Sequence, residues 1–389
     1  MDSEDAERTG RADGRSRRAY LAAVGSVGAT ALAGCTGDTG GGATPTETAT
    51  DGTVTGTPTP TEASLSGTLT VATYPSWVES DGAAGPWLKE QFEAEYPDAT
   101  VEYVTPDSAI NYFIRRKQQG APIDADAYVG LNVDQLLRVD SELDEPLFAG
   151  IGGELSNGDA VRDGLRFDPQ ERAVPYDTGY IALVFDESAV DRPGTFDDLT
   201  EGAWADSLIV QNAQSSATGR AFLLWTVKQF GADGYLDYWR DLDANGITVL
   251  GSWDDAYNAY SEGEKPMVVS YSTDQVYANR YDQDMTRHQV AFLNNQGYAN
   301  PEGMALFADS EKRALATEFM DFMLTAEAQG EIAVRNVQFP AIPAEQANLP
   351  EEFARYAKIP EEPVTFTYEE LKGNLDGWIE DWAREIAQG

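Results

Sequence analysis

From residue 67 onward, the chain alternates short runs of β-forming residues with longer runs whose apolar positions repeat at helical spacing. The run GTLTVATY is followed by PWLKEQFEAEYP, in which Trp87, Leu88, Phe92 and Tyr96 recur at that spacing, and then by ATVEYV and ADAYVGL. An order of strand, helix and strand is typical of an α/β domain with a largely parallel sheet.

The same alternation returns in the second half of the chain. There SLIVQN, GITVL and PMVVSYS predict strands, and TGRAFLLWTVKQFG and WDDAYNAYSEG predict the helices between them. Gly231 follows the first of these helices and is its predicted C-cap. We therefore expect an α/β protein with two lobes.

The C-terminal part is predicted to be mostly helical. One helix is expected after Ser310 as its N-cap, and a last helix is expected to begin at a capping box of Thr367 and Glu370. The apolar stripes of these two helices predict core faces. They are Leu315, Phe319, Phe322 and Met323 in the first helix, and Leu371, Leu375, Trp378, Trp382 and Ile386 in the last.

The N-terminal segment has the features of an export signal. RSRRAYLAAVGSVGATALAGC places the pair Arg17-Arg18 before a short apolar run that ends at Cys35, the only cysteine of the chain. The arginine pair indicates the twin-arginine route, and LAGC resembles a lipobox. We expect residues 1–34 to be a lipoprotein signal peptide, Cys35 to carry a lipid, and residues 35–66, rich in Thr, Gly and Pro, to be a tether.

The charge balance limits the partners. The formal net charge is −39, whereas 42% of the residues are hydrophobic, which is enough for sizeable cores. A surface of this sign excludes nucleic acid as a partner and is typical of a halophilic protein, whose repulsions are screened by concentrated salt. No D-x-[DN]-x-[DN]-G run indicates a calcium loop.

The inventory of reactive residues disfavours an enzyme. The single histidine, His288, lies in the polar run YDQDMTRHQV, where a surface or structural role is expected. The chain has no G-x-S-x-G, H-E-x-x-H, P-loop or dinucleotide motif. A hydrolase or lyase that uses paired carboxylates stays open as an alternative.

Aromatic residues stand at the ends of predicted strands. They are Tyr74, Trp253, Tyr271 and Tyr277. Open α/β sheets bind ligands at strand ends. Because aromatic faces stack on rings and attract positive charge, such a lining favours a small planar or cationic ligand.

Four stretches carry a resemblance to a known family. PYDTGYIALVFD, QNAQSSATGRAFLLWTVKQFG, GSWDDAYNAYSEGEKPMVVSYSTDQVY and FPAIP resemble, in order and spacing, the thiamine-binding proteins of bacterial ABC importers, within the extracellular solute-binding protein superfamily. The resemblance covers nearly all of residues 68–387. It implies a two-lobed periplasmic-binding-protein-like fold of type II, with lobe 1 at 67–178 and 293–389 and lobe 2 at 179–292. The crossover strands are expected within 174–185 and 289–299.

The resemblance also implies a ligand site without metal, cofactor or catalytic residues. Asn132 or Asp134 takes the place of the family's acidic residue, because GLNVDQLL is one residue longer than the family pattern. Val337 replaces a tryptophan that lines the family's site, so a different or phosphorylated thiamine or a related heterocycle stays open. The implied ligand-binding residues are Tyr74, Asn132 or Asp134, Ser216, Gly219, Trp253, Tyr271 and Tyr277.

The function implied is that of a monomeric, lipid-anchored receptor at the extracellular face of the plasma membrane. It would capture thiamine or thiamine phosphate and deliver it to the permease and ATPase subunits of an ABC importer. A ferric-iron or polyamine receptor of the same fold is the alternative. Ferric sites need converging tyrosinates, and this chain has no Tyr-Tyr pair.

Overall fold

The computed structural model describes residues 65–80 and 82–386, and these residues contain one mixed sheet covered by helices. The signal peptide, Cys35 and nearly all of the tether lie outside the described residues. The strands are β1 Gly67–Ala72, β2 Ala99–Val104, β3 Ala127–Leu131, β4 Phe148–Ala149, β5 Ala173–Phe185, β6 Leu208–Gln211, β7 Thr248–Leu250, β8 Met267–Tyr271, β9 Gln289–Ala291, β10 Gln296–Phe307, β11 Phe339–Pro340 and β12 Glu362–Val364. The helices are α1 Pro75–Glu79, α2 Ala84–Glu95, α3 Ile110–Gln118, α4 Val133–Glu142, α5 Ala217–Phe230, α6 Tyr235–Ala244, α7 Trp253–Glu262, α8 Asp274–Arg280, α9 Arg313–Met323, α10 Ala326–Asn336, α11 Glu351–Tyr356, α12 Tyr368–Leu371 and α13 Leu375–Ile386.

The main strand order, β2-β1-β3-β10-β5-β8-β6-β7, separates two parallel groups. β1 is parallel to β2 and β3, and β6 is parallel to β7 and β8. Between the groups, β10 and β5 are antiparallel to each other and to their neighbours β3 and β8. Two parallel α/β groups joined by two long central strands are the arrangement expected from the alternation of the sequence.

The two crossover strands differ in how well the sequence predicted them. β5 spans Ala173–Phe185 and matches the expected segment 174–185. The second expected segment, 289–299, is interrupted by a tight 3-10 turn at Leu293–Asn295, in which Asn294 and Asn295 have φ values of 53° and 61°. Asparagine tolerates this left-handed conformation, which cannot continue a strand. The second long strand is therefore β10, which extends to Phe307.

The C-terminal helices also depart from the expected boundaries. The capping box of Thr367 and Glu370 is confirmed, but the continuous last helix is wrong, because α12 ends at Leu371 and Gly373 has a φ of 79°. α9 begins after Lys312 rather than Ser310. The Ser310 hydroxyl donates to Asp126 Oδ1 at 2.7 Å, so it serves a tertiary contact with that carboxylate.

The predicted core stripes are largely buried. Leu315, Phe319, Met323, Leu371, Leu375 and Trp382 are all less than 9% exposed. Gly231 is the C-cap of α5 with a φ of 76°, as expected. Trp382 packs edge-on against Trp239 at 5.4 Å between ring centroids, which places α13 on α6 of the predicted lobe 2. The expected boundary grouped this helix with lobe 1, and the lobe boundaries themselves stay predictions.

Candidate ligand-binding cleft

The two crossover strands provide a polar surface at the centre of the sheet. Their register pairs Asp177 with Glu302 and Gly179 with Asn300. Residues directly opposite each other in an antiparallel pair project to the same face. These four residues therefore lie together on one face, next to a register shift between Glu302 and Gly303.

Tyr74 reaches this surface from the end of β1. It is the N-cap of α1, and its hydroxyl lies 3.0 Å from Glu302 Oε2 and 3.2 Å from Asn336 Oδ1, so it can donate to either acceptor. The ring lies against Gly130 of β3, where a Cβ atom would approach Tyr74 Cδ1 to 2.5 Å. Gly130 also has a φ of 100°, so only glycine suits the position.

Tyr271 reaches the same surface from the end of β8. A side chain at Gly179 would collide with the Tyr271 ring, so the ring packs directly on the backbone of β5 at this glycine. The hydroxyl is 3.3 Å from Thr218 Oγ1 at the start of α5. Burial is the main cause that raises the pKa of Tyr271 to about 12, so the phenol is protonated at neutral pH.

Trp253 and Tyr277 belong to a second aromatic group. Trp253 stacks on Tyr257 with 4.8 Å between centroids and an angle of 24°, and Tyr277 meets Tyr257 edge-on at 6.4 Å. The indole Nε1 of Trp253 donates to Ser270 Oγ at 3.1 Å. Ser270 and Tyr271 are consecutive in β8, so their side chains leave the strand on opposite faces. The structure thus puts Trp253 and Tyr277 in one aromatic group, whereas Tyr271 and Tyr74 lie on the surface of the crossover strands.

Tyr257, which the sequence analysis did not single out, holds this second group together. Its hydroxyl donates to Asp274 Oδ1 at 2.5 Å, and His288 Nδ1 lies 2.7 Å from Asp274 Oδ2. Burial and the nearby Asp274 carboxylate raise the pKa of Tyr257 far above its usual range. His288 is 7% exposed and has the structural role that was expected of it.

Ser216 and Gly219 have structural roles at the start of α5. Ser216 is the N-cap, and its Oγ accepts from Gly219 N at 3.3 Å. A side chain at Gly219 would collide with the carbonyl of Gln211, so glycine lets α5 approach the end of β6. A direct role of either residue in ligand binding stays a prediction.

Asn132 and Asp134 are also engaged within the protein. Asn132 forms the capping box of α4 with Gln135, and its Nδ2 donates to Pro301 O at 3.0 Å. Asp134 pairs with Arg220 of α5, with 2.9 Å between Oδ2 and Nε. A ligand contact of Asn132 or Asp134 stays a prediction.

The last residue of α10 and the segment that follows it contribute polar groups that sequence reasoning missed. Asn336 Nδ2 donates to Asp177 Oδ2 at 2.7 Å. Val337 ends α10 in the left-handed conformation, with a φ of 55°. Gln338 is 9% exposed, and its Oε1 has no hydrogen-bond partner. A Cβ atom added at Gly179 would lie 2.5 Å from this oxygen. Gln338 therefore lies beside the Tyr271 ring.

Asp177 and Glu302 were missed as well, although both lie in or beside recognisable motifs. Burial is the main cause that raises the pKa of Asp177 well above its ordinary value, and the charge of Glu302 raises it further. Burial also raises the pKa of Glu302, against the effect of hydrogen bonds from Tyr176 and Tyr74. The YDTGY and NPEG stretches could have indicated these carboxyl groups, but only the strand register places them opposite each other.

A model of the bacterial extracellular solute-binding protein family matches residues 154–360, and the chain belongs to that family. It is a solute-binding protein of the kind that serves ABC importers. The thiamine-binding periplasmic protein of Brucella suis is 30% identical over 313 residues, which cover 80% of this chain and 90% of that protein. The thiamine-binding periplasmic protein of Salmonella typhimurium is 29% identical over 319 residues, with coverages of 82% and 93%.

Solved structures agree with this assignment. A periplasmic thiamin binding protein superposes with a TM-score of 0.71 at 28% identity, covering 82% of this chain and 96% of that one. Apo ferric ion-binding protein A of Pasteurella haemolytica reaches a TM-score of 0.65 at 13% identity, covering 82% and 98%, and this likeness concerns the fold alone. The expected two-lobed fold of type II is confirmed.

Proposed function

We propose that this protein captures thiamine or thiamine phosphate in the cleft between its lobes and delivers it to the permease and ATPase subunits of an ABC importer. The names of the Brucella and Salmonella relatives, each matched over at least 80% of this chain, support thiamine as the ligand class. The identities of about 30% leave room for a related heterocycle, and Val337 at a ligand-lining position of the family is one place where the site differs.

The observation that carries the proposal is the presence of two aromatic groups, one over the crossover strands and one on α7 and α8. Tyr74 and Tyr271 lie over the crossover strands, and Trp253 stacks on Tyr257 close to Tyr277. Stacking on such rings and the attraction between their faces and a positive charge suit the pyrimidine and thiazolium rings of thiamine. The acidic character of the site also favours the binding of a permanently positive ring.

A ferric receptor is less well supported by the same residues. A ferric site requires tyrosinate oxygens, and burial raises the pKa values of both Tyr74 and Tyr271. Within residues 65–80 and 82–386, no group of three or more His, Cys, Asp and Glu side chains is arranged to hold a metal ion. We propose no catalytic residue.

The location follows from the N-terminal segment. We propose that the twin-arginine signal directs export and that a lipid on Cys35 holds the protein at the extracellular face of the plasma membrane, with residues 35–66 as the tether. No helix of the part that the structure describes has the length and apolar character to cross a membrane.

Calorimetric titration of the full chain in molar KCl tests the ligand class. The ligands are thiamine, thiamine monophosphate, the neutral aminopyrimidine half of thiamine alone, and ferric citrate. We expect saturable heat with thiamine or its monophosphate, and far weaker binding of the neutral half. Heat and thermal stabilisation with ferric citrate, but not with either thiamine compound, would show that the vitamin proposal is wrong.

A further inference from the structure

The carboxyl groups of Asp177 and Glu302 face each other across the crossover strands without a cationic partner. Asp177 is 0% exposed, whereas Glu302 keeps a partly exposed side chain. Directly opposed residues of an antiparallel pair have Cβ atoms about 4.5–5.5 Å apart. Among the described residues, neither carboxyl group forms an ion pair with a Lys, Arg or His side chain, whereas Asp134 and Asp168 do. Two like charges on opposed residues, one of them fully buried, disfavour each other's ionisation unless a positive charge compensates.

The hydrogen bonds distinguish the two carboxyl groups. Tyr176 and Tyr74 both approach Glu302 Oε2, at 2.6 and 3.0 Å, and phenol donors favour the ionised form of their acceptor. Asp177 receives one donor, Asn336 Nδ2 on Oδ2, and its buried Oδ1 has no partner. A single proton held by the two carboxyl groups is therefore best placed on Asp177, on the oxygen that does not accept from Asn336.

An independent observation points to a ligand at this surface. Gln338 Oε1 is a buried acceptor without a partner, and it lies over Gly179, the next residue after Asp177 on the same face of β5. A buried acceptor left without a donor costs about 1–3 kcal/mol, so it marks a place where a donor is missing. The aminopyrimidine group of a thiamine-type ligand carries such a donor.

We infer that Asp177 and Glu302 form a two-carboxylate site that holds one proton while the cleft is empty and exchanges it for the positive charge of the ligand. This inference rests on the proposed function for the identity of the cation. In the exchange, the ligand cation binds beside the ionised Glu302, the O–H bond of Asp177 breaks, and the proton leaves to solvent. The net charge of the site is thus the same before and after binding.

Four phenols lie around the carboxyl pair. Tyr74, Tyr176, Tyr271 and Tyr128 face it from the β1–α1 junction, β5, β8 and β3, and burial raises the pKa of each of them, so they are neutral phenols. The neighbouring helices carry two ion pairs. These pairs are Arg335 with Glu331 on α10, and Asp134 of α4 with Arg220 of α5.

The first test needs no ligand. Infrared difference spectra of the empty full chain at pH 7 should show a protonated carboxyl band that is absent in Asp177→Asn. Asp168→Asn is the matched control, because Asp168 is also buried but pairs with Arg172 at 3.1 Å. The control should keep the band of Asp177. Absence of the band from the wild type would overturn the inference whatever the ligand is.

The second test measures proton release. Thiamine is titrated at pH 7 in two buffers of different ionisation enthalpy, and the wild type should release about one proton per bound thiamine. Its affinity should rise by up to about tenfold per pH unit while the proton is being displaced. Asp177→Asn should release no proton, and its thiamine affinity, whatever its size, should not change with pH, whereas Asp168→Asn should behave as the wild type.

The outcomes separate the two proposals. Binding of thiamine by the wild type without proton release overturns the exchange and leaves the vitamin function intact. If the protonated carboxyl band is present but thiamine does not bind, the vitamin function is rejected. The exchange is then tested by measuring proton release when spermidine is the cation. Failure of spermidine binding to release a proton would overturn it too.

Discussion

Asp134 on α4 and Arg220 on α5 form an ion pair, with 2.9 Å between Oδ2 and Nε and with side chains that are 15% and 18% exposed. The two helices belong to different predicted lobes, so with those boundaries the pair would link the two lobes. Asp134 was expected from the family resemblance to be a candidate ligand contact, and the structure gives it a second role.

The link predicts a measurable coupling. Asp134→Asn and Arg220→Gln should each lower the free energy of unfolding by about 1–3 kcal/mol, because each leaves a partly buried charge without its partner. The double variant should lose less than the sum of the two. Denaturant titration in molar KCl measures this, and strictly additive losses would contradict a coupled pair.

Truncation of Trp253 should weaken ligand binding rather than folding. Trp253→Ala removes the ring that stacks on Tyr257, and we expect a loss of about 1–3 kcal/mol in thiamine binding, by analogy with stacking on nucleic-acid bases. The partly exposed tryptophan at position 204, far from this group in sequence, provides the control Trp204→Ala. Equal thiamine affinities for wild type and Trp253→Ala would show that Trp253 does not contact the ligand.

The close contact between Gly179 and the Tyr271 ring predicts that a methyl group added at position 179 destabilises the fold. Gly179→Ala should displace Tyr271 and Gln338 and lower the free energy of unfolding by about 1–3 kcal/mol, because β5 is held on both sides and cannot move away. Gly153→Ala is the control, since nothing lies within 4 Å of its added Cβ. If the two variants melt at the same temperature, Tyr271 does not need a bare backbone beneath it.

The raised pKa of Asp177 predicts how stability depends on pH. Its folded-state pKa lies above the unfolded value of about 3.9, so the folded state binds the proton more tightly than the unfolded state. The stabilisation is complete below that unfolded value and is lost as the pH rises through the folded pKa. The side chain in Asp177→Asn does not titrate. Without ligand, the free energy of unfolding of this variant should therefore rise relative to that of the wild type as the pH rises from 5 to 8. Parallel stability curves for the two proteins would contradict this.

Lipid anchoring is tested at the N-terminus. Cys35→Ser removes the only thiol that could be lipid-modified, so the protein should leave the membrane fraction while the soluble domain stays folded. Fractionation after a carbonate wash measures this, with circular dichroism of the released protein as the folding control. A Cys35→Ser protein that stays with the membrane would rule out the anchor at this position.

The alternation of strand and helix patterns and the quoted motifs were enough to predict the α/β class, the two lobes, the first crossover strand and the family. These features are recognisable because burial imposes periods of two and 3.6 residues on each element separately. The break at Asn294-Asn295 and the division of the last helix at Gly373 were not predicted, because apolar residues on both sides continue the same pattern.

The site was decided by tertiary structure. The sequence correctly placed Tyr74 and Tyr271 at strand ends, but Trp253 and Tyr277, expected there too, lie in α7 and α8. Only strand order and register decided that Tyr74 and Tyr271 share one surface, while Trp253 joins Tyr277 through Tyr257. Asp177 and Glu302 are 125 residues apart in the chain and have no local pattern in common. Their pairing is set by the antiparallel register of β5 and β10, and the shift in their pKa values is set by burial, which depends on how all the surrounding elements pack.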